Sequence, residues 1–175
     1  MCCVLKFCMY FDVVLFNKDG EAIKLANKFG FNRLIFKEEF EKLNIIYGNL
    51  EIKSIRYNKA TILLNPHDLL NKKDNLHYRY SGLNHIICKL AKENDIFIGF
   101  SLDKIRDSIE LGRVMQNIKL CKKYKNSVCF FTFAKDKFSL RGIHDIMAFC
   151  RVLGMDGLMA KNSLLNINIL LNKMI

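Results

Sequence analysis

Four histidines and seven cysteines are the side chains of this sequence best suited to hold a metal or act as nucleophiles, and their spacing decides what they can do. His67, His77, His85 and His144 form neither HxH nor HExxH, the spacings that bring two imidazoles to one cation. The strongest local grouping is Asn65-Pro66-His67-Asp68, directly after an apolar run. Hydrolytic barrels gather metal ligands or an acid–base pair at strand ends, so His67-Asp68 is where such chemistry is to be sought. The same residues also spell a turn with a helix cap, the commoner use of this pattern. Asp12 lies inside the first apolar run, not beyond it with a partner histidine. Cys2, Cys3, Cys8, Cys88, Cys121, Cys129 and Cys150 are odd in number and contain no CxxC. Most sit in apolar runs, where a free thiol packs as a small hydrophobe. That usage fits a reducing compartment and a cytoplasmic protein. No local motif supports a Cys–His nucleophile, and neither GxGxxG nor a Walker loop occurs.

The other candidate chemistry is charge. The 28 Lys and Arg outnumber the 17 Asp and Glu, a net charge of +11. Such an excess suits a polyanionic partner, either nucleic acid or an anionic membrane surface. It is unevenly placed. Residues 1–102 carry 15 basic and 11 acidic side chains, and residues 103–175 carry 13 and 6. Between positions 111 and 141 there are eight basic side chains and one acid, Asp136. A lysine-rich solvated surface would look the same by count alone.

Elements must place these groups. A chain of 175 residues fits one domain and buries roughly 70% of its unfolded surface without a metal or disulfide. Residues 1–9 read as a short N-terminal leader and 1–175 as a single barrel domain. No run approaches the roughly 18 uninterrupted apolar residues of a membrane helix, so no membrane role is expected. Strands are expected at Tyr10–Phe16, Arg33–Lys37, Ile45–Ile52, Ala60–Asn65, Ile96–Leu102 and Val128–Ala134. Helices are expected at Asp19–Phe29, Glu38–Leu43, Ser81–Asn94, Leu111–Lys125, His144–Leu153 and, as an amphipathic terminal helix, Leu158–Ile175. The strands IFIGFSL and VCFFTFA are apolar at nearly every position, as strands covered on both faces are. Alternation with helices points to repeated βαβ units. The fold expected is α/β, a small and incomplete (β/α) barrel with parallel strands, its missing or very short helices falling between residues 37 and 65.

The helix SGLNHIICKLAKEN places Leu83, Ile86, Ile87, Leu90 and Ala91 on one face and His85, Lys89 and Lys92 on the other. Tyr78-Arg79-Tyr80 stands just upstream. Such a basic row beside aromatics can follow a phosphate backbone, with tyrosine free to stack on an unpaired base. A plain solvated face is the other reading, and the pattern does not choose between them. In the next helix, Leu111, Val114, Met115, Ile118 and Cys121 form the core stripe, with Lys119, Lys122 and Lys123 off it. After the last strand comes Ala134-Lys135-Asp136-Lys137, then Phe138-Ser139-Leu140-Arg141. Ile146, Phe149, Cys150 and Leu153 give the following helix its apolar face, and His144 reads as a cap or surface group.

At Ser81-Gly82-Leu83-Asn84-His85, Leu90-Ala91-Lys92-Glu93-Asn94, Thr132-Phe133-Ala134 and Leu140-Arg141-Gly142-Ile143-His144-Asp145 the sequence resembles archaeal ribonuclease P protein component 3, the counterpart of the thirty-kilodalton subunit of the eukaryotic enzyme. The resemblance covers residues 81 to about 155. It implies a TIM-like barrel of the polymerase/histidinol-phosphatase (PHP) type that has lost that superfamily's metal site. It further implies a non-catalytic subunit that binds ribonuclease P RNA with protein component 2 and assists 5′ maturation of precursor tRNA. The chain would hold no cofactor itself, with Mg required by the RNA-containing holoenzyme. By matching position Arg79, His85, Lys92 and Arg141 would face RNA; Lys89, Lys122, Lys123 and Lys135 join them on charge pattern alone. Three features depart from the family pattern: a shorter chain, Gly142-Ile143 in place of Ser-Pro, and no basic residue at Met115, with Arg113 nearby. The alternative in another class is a metal-dependent phosphoesterase of the PHP barrel superfamily.

Overall fold

Strand-length apolar runs separated by turn residues define this molecule, and its turns are cut where the sequence supplies caps. The computed structural model describes residues 9–42, 45–47, 61–68 and 73–172. Its elements are β1 (Phe11–Val14), α1 (Gly20–Lys28), β2 (Arg33–Phe36), α2 (Lys37–Phe40), β3 (Ile45–Tyr47), β4 (Ile62–Leu64), α3 (His85–Glu93), β5 (Phe97–Ser101), α4 (Ser108–Tyr124), β6 (Val128–Phe131), α5 (Ile143–Val152) and α6 (Gly157–Asn172). Single 3-10 turns at Leu102–Lys104 and Lys137–Ser139 follow β5 and β6. Asp19, Asn84 and Asp107 cap α1, α3 and α4 by accepting from amides of the first turn, the usual remedy for its unpaired donors. The one-turn α2 stands close to the short helix expected at Glu38–Leu43. The expected leader, apart from Met9, and most of the expected strand Ile45–Ile52 lie outside the described residues.

All described strand pairs are parallel. β1 pairs with β2, and β3-β4-β5-β6 form a second ladder in sequence order. The two meet just past β6, where Val14 bridges Ala134, Phe133 N donates to Val13 O at 3.1 Å and Leu15 N donates to Ala134 O at 2.8 Å. First and last strands are thus joined, and the order runs β2-β1-β6-β5-β4-β3. No ladder joins β2 to β3 among the described residues.

Side chains alternate across strands, and the core divides accordingly. One apolar cluster draws Phe11, Val13, Ile35, Ile45, Ile62, Leu64, Phe97, Cys129 and Phe131, at least one from each of the six strands. The other draws Val14, Leu34, Leu63, Ile98, Phe100, Val128 and Phe130 together with residues of the helices. Gly99 faces the first cluster, where a Cβ would stand 2.7 Å from Ile62 Cδ1 and 2.9 Å from Leu64 Cδ1. Glycine is what lets its neighbours fill that layer. Helix α6 adds Ile167 and Leu170 to the same cluster, and Asn166 Nδ2 donates to Val128 O at 2.8 Å, where β6 begins. The C-terminal helix therefore packs at the N-terminal ends of strands, leaving the loops after them at the opposite rim.

Two helix faces differ from their periodicity. Ile86 is exposed on α3, and Met115 on α4. Arg113 and Asn117 are buried on α4 instead, because each serves a partner far along the chain. Residues 81–84 precede α3 and are not its first turn.

Candidate nucleic-acid interface

In parallel α/β proteins chemistry is placed where strands end, so the rim after the strands is the first place to look. Three phenyl rings fill its centre. Phe40 of α2 meets Phe131 and Phe133 edge-on at 5.2 and 5.4 Å, and those two stack at 5.4 Å. All three are buried. Phe133 takes a left-handed backbone (φ 50°), unusual for a bulky residue, directly after β6. Beside it the Asp12 carboxylate closes the joint between β6 and β1. It accepts from the amides of Thr132 and Val13, both at 2.9 Å, and from Thr132 Oγ1. Burial pushes the Asp12 carboxyl up to about 6, with the Thr132 and Val13 donors opposing.

The polar residues of the rim are committed to one another. Asn65, left-handed at φ 49°, donates to Ser101 Oγ at 2.8 Å and accepts from Ser101 N at 2.9 Å. His67 is fully buried; its Nε2 lies 3.0 Å from Lys104 O, and Nδ1 has no partner. Burial lowers its pKa, against the Lys104 carbonyl and the charges of Asp68 and Glu110, so the ring is neutral at pH 7. Asp68 is answered by Lys104 at 2.7 Å and Arg106 at 3.8 Å, and Arg106 reaches Glu110 at 2.6 Å. The His67-Asp68 grouping is thus a turn held by cations. Among the described residues no group of three His, Cys, Asp or Glu could hold a metal ion.

Among the described residues, the loop from Thr132 to Gly142 is the most cationic part of this rim, with Lys135, Lys137 and Arg141 against Asp136. Asp136 Oδ1 accepts from the amides of Phe138 and Ser139 and from Ser139 Oγ, fixing the 3-10 turn. These bonds hold its carboxyl below the usual range. Lys135 is exposed, and Lys137 pairs with Glu21. The Arg141 guanidinium donates to the carbonyls of Phe138 at 3.2 Å and Leu140 at 3.0 Å.

Most of the Ser81–His85 motif is scaffold. Ser81 is buried, its carbonyl held by Asn117 Nδ2 at 2.6 Å. Gly82 has φ +83°, and a Cβ there would stand 1.7 Å from Pro66 O. Leu83 is core, and Asn84 caps α3 by accepting from Ile87 N at 2.8 Å. Only Asn84 and His85 are exposed. Arg79 lies over Gly112 of α4 and pairs with Asp74 at 3.7 Å. Asp74 also accepts from Arg113 at 2.8 and 3.0 Å and from Tyr80 N at 2.9 Å. Desolvation works against its charge, but those donors and the two arginines outweigh it and hold the carboxyl below its usual range.

All eight predicted RNA-facing residues, Arg79, His85, Lys89, Lys92, Lys122, Lys123, Lys135 and Arg141, are exposed. They do not form one patch. Lys135 and Arg141 stand on the rim after β6, and Arg79 and His85 near the start of α3. Lys92 lies in the last turn of α3 and Lys122 and Lys123 in that of α4, each turning back to begin a strand at the opposite end. Lys122 is 3.4 Å from Asp156 and Lys123 lies over the Tyr124 ring. The sequence reading passed over Lys104, Arg106 and Lys137 at the rim, and gave no role to exposed Phe138. Their signal was position after a strand, more than local charge density. No helix among the described residues is long and apolar enough to cross a membrane.

No family model matches the chain. Its sequence is 27% identical over 105 residues to ribonuclease P protein component 3 of Methanocaldococcus jannaschii, covering 57% of this chain and 45% of that one. Over 82 residues it is 30% identical to the component 3 of Methanococcoides burtonii, covering 43% and 34%. The matched stretch is thus less than half the length of these curated relatives. In fold it superposes on a chain from the cryo-EM structure of archaeal ribonuclease P with mature tRNA, with a TM-score of 0.63, 21% identity, and coverage of 94% and 90%. The sequence similarity therefore falls on the same family as the resemblance carried by residues 81 to about 155: this chain is similar over part of its length to ribonuclease P protein component 3, and it shares the fold of a chain from an archaeal ribonuclease P structure.

Proposed function

We propose that this chain is a protein subunit of ribonuclease P. It binds the catalytic RNA together with protein component 2, assists removal of the 5′ leader of precursor tRNA in the cytoplasm, and contributes no catalytic residue. Its fold in this reading is an incomplete, PHP-type barrel of one domain, shortened between β2 and β4. The observation that carries the reading is the rim itself. Where a barrel hydrolase would place its reacting groups, Phe40, Phe131 and Phe133 pack against each other, Asp12 is tied to Val13 and Thr132, and Asp68 and Glu110 answer lysine and arginine.

What is left for the surface is electrostatic. Lys135 and Arg141 at the rim, Arg79 beside α3, and the lysines of α3 and α4 can neutralise phosphates, and His85 can hydrogen-bond to one, without performing a bond-breaking step. The phosphoryl chemistry belongs to the RNA and the Mg²⁺ it holds. Reconstitution tests this. The catalytic RNA in Mg²⁺ is mixed with protein component 2, with this chain, or with both, and precursor tRNA cleavage is followed. Stimulation that needs both proteins is expected. Cleavage unaffected by this chain would refute the reading, as would phosphate-ester hydrolysis by the chain alone that a chelator abolishes.

A further inference from the structure

Phe138 is the most exposed aromatic side chain among the described residues, at 81%. Left in water, a ring of this size forgoes the hydrophobic gain of burial, and the turn beneath gives it little freedom to fold away. Asp136 Oδ1 ties down the amides of Phe138 and Ser139, and Arg141 donates to the Phe138 carbonyl. On the far side Leu140 is buried and anchors the loop in the core. The 3-10 turn therefore projects one ring outward from a restrained backbone.

Cations surround that ring. Lys137 Nζ lies over it at 5.5 Å from the centroid while paired with Glu21. Lys135, three residues earlier, is exposed, and so is Arg141, three residues later. Among the described residues neither has a carboxylate within ion-pair distance. Asp136 is the one acid in the loop, and its Oδ1 is turned to the backbone amides. An apolar platform flanked by exposed positive charge matches one chemical class: a nucleotide whose base is unpaired and whose neighbouring phosphates are accessible. A duplex offers the phosphates but keeps its base faces inside the stack.

We propose that Phe138 is a stacking platform for an unpaired RNA base, with Lys135 and Arg141 on the adjoining phosphates. This rests on the RNA-binding reading above and adds what that reading lacks, a preference for single-stranded over paired RNA. Basic side chains alone cannot supply it, because a duplex presents the denser array of phosphates and would be favoured by charge.

The chain contains no tryptophan, so Phe138→Trp introduces a lone indole reporter at the site. The full chain, alone and with protein component 2, is titrated with a 12-nucleotide oligoadenylate and with a 12-base-pair RNA duplex at two salt concentrations. Quenching of the Phe138→Trp emission by oligoadenylate and not by duplex is expected. Phe138→Ala should bind oligoadenylate about tenfold more weakly, within the span of one base–aromatic stack, with an unchanged salt slope and melting temperature. Lys135→Ala should instead lower the salt slope by about 0.7. Wild-type oligoadenylate affinity in Phe138→Ala, with no quenching in Phe138→Trp, overturns the platform while leaving RNA binding intact. Failure of the wild-type chain to bind either RNA removes the RNA-binding reading and the platform with it. An indole whose emission shifts on adding component 2 without RNA would assign the ring to the protein partner and overturn the proposal.

Discussion

A carboxylate buried at a strand joint has to be either neutralised or lavishly hydrogen-bonded, and Asp12 is served by three donors without a cation. Its carboxyl titrates near 6, above the ordinary 3.8. The folded protein therefore holds the Asp12 proton more tightly than the unfolded chain does. The stability this supplies is complete below pH 4 and is lost as pH rises through 6. At about 1.4 kcal/mol per pH unit, the span amounts to about 3 kcal/mol. The Asp12→Asn side chain would keep an acceptor for the Thr132 amide and never ionise. Chemical denaturation of wild type and Asp12→Asn from pH 4 to pH 7 should show the wild type losing up to that amount relative to the variant. Parallel curves across the range would mean that Asp12 is charged in the folded protein throughout. None of this was legible in the sequence, where Asp12 showed only as an acid within an apolar run. Thr132, its partner, lies 120 residues away.

At the scale of elements the reading from sequence did better. Each of the six strands and each helix appears, because hydrophobic period and capping residues are local signals. What failed was the assignment of single positions at the edges of two helical faces, Ile86 and Met115. Arg113 and Asn117 are buried on α4 since Asp74 and the Ser81 carbonyl, 39 and 36 residues earlier, need donors there. Periodicity sees only the helix itself, so it assigned Met115 to the core. The Ser81–His85 motif likewise read as a helix start, yet Gly82 is left-handed against Pro66 and the helix begins after Asn84. Asp74 joins the segment before α3 to the outer side of α4. Asp74→Ala removes the carboxylate that the Arg113 guanidinium, 7% exposed, is held against. Breaking a fully buried pair costs about 3–5 kcal/mol. Asp74 keeps 23% of its side chain in water, so a loss of about 2 kcal/mol in urea unfolding is expected. Adding Arg113→Met should recover most of it, since the charge is then gone from the apolar site. A double variant no more stable than Asp74→Ala would show that the loss does not come from the charge left on Arg113.

For the whole molecule, the direction of the chain separates charges that composition lumps together. Every described strand runs the same way, so loops after strands share one rim and the ends of α3 and α4 share the other. The excess between residues 111 and 141 therefore divides between two ends of the molecule. Lys122 and Lys123 occupy the last turn of α4, where positive charge answers the helix dipole, and Lys122 already faces Asp156. Lys135 is exposed, and Arg141 meets only backbone carbonyls within hydrogen-bond reach, so neither is in an ion pair among the described residues. If RNA runs over the loops after the strands, their phosphate contacts must appear in the salt dependence of binding. Each contact adds about 0.7 to 0.9 to the slope of log affinity against log salt. The pair Lys135→Ala with Arg141→Ala should lower that slope by more than one unit. Lys122→Ala with Lys123→Ala should lower it by less, and should cost more in thermal stability than the rim pair does. Equal drops from both pairs would mean that RNA passes along the side of the molecule from one end to the other, over α3 and α4. The reverse order would put the RNA at the N-terminal ends of the strands, against α6, and would leave the rim to a protein.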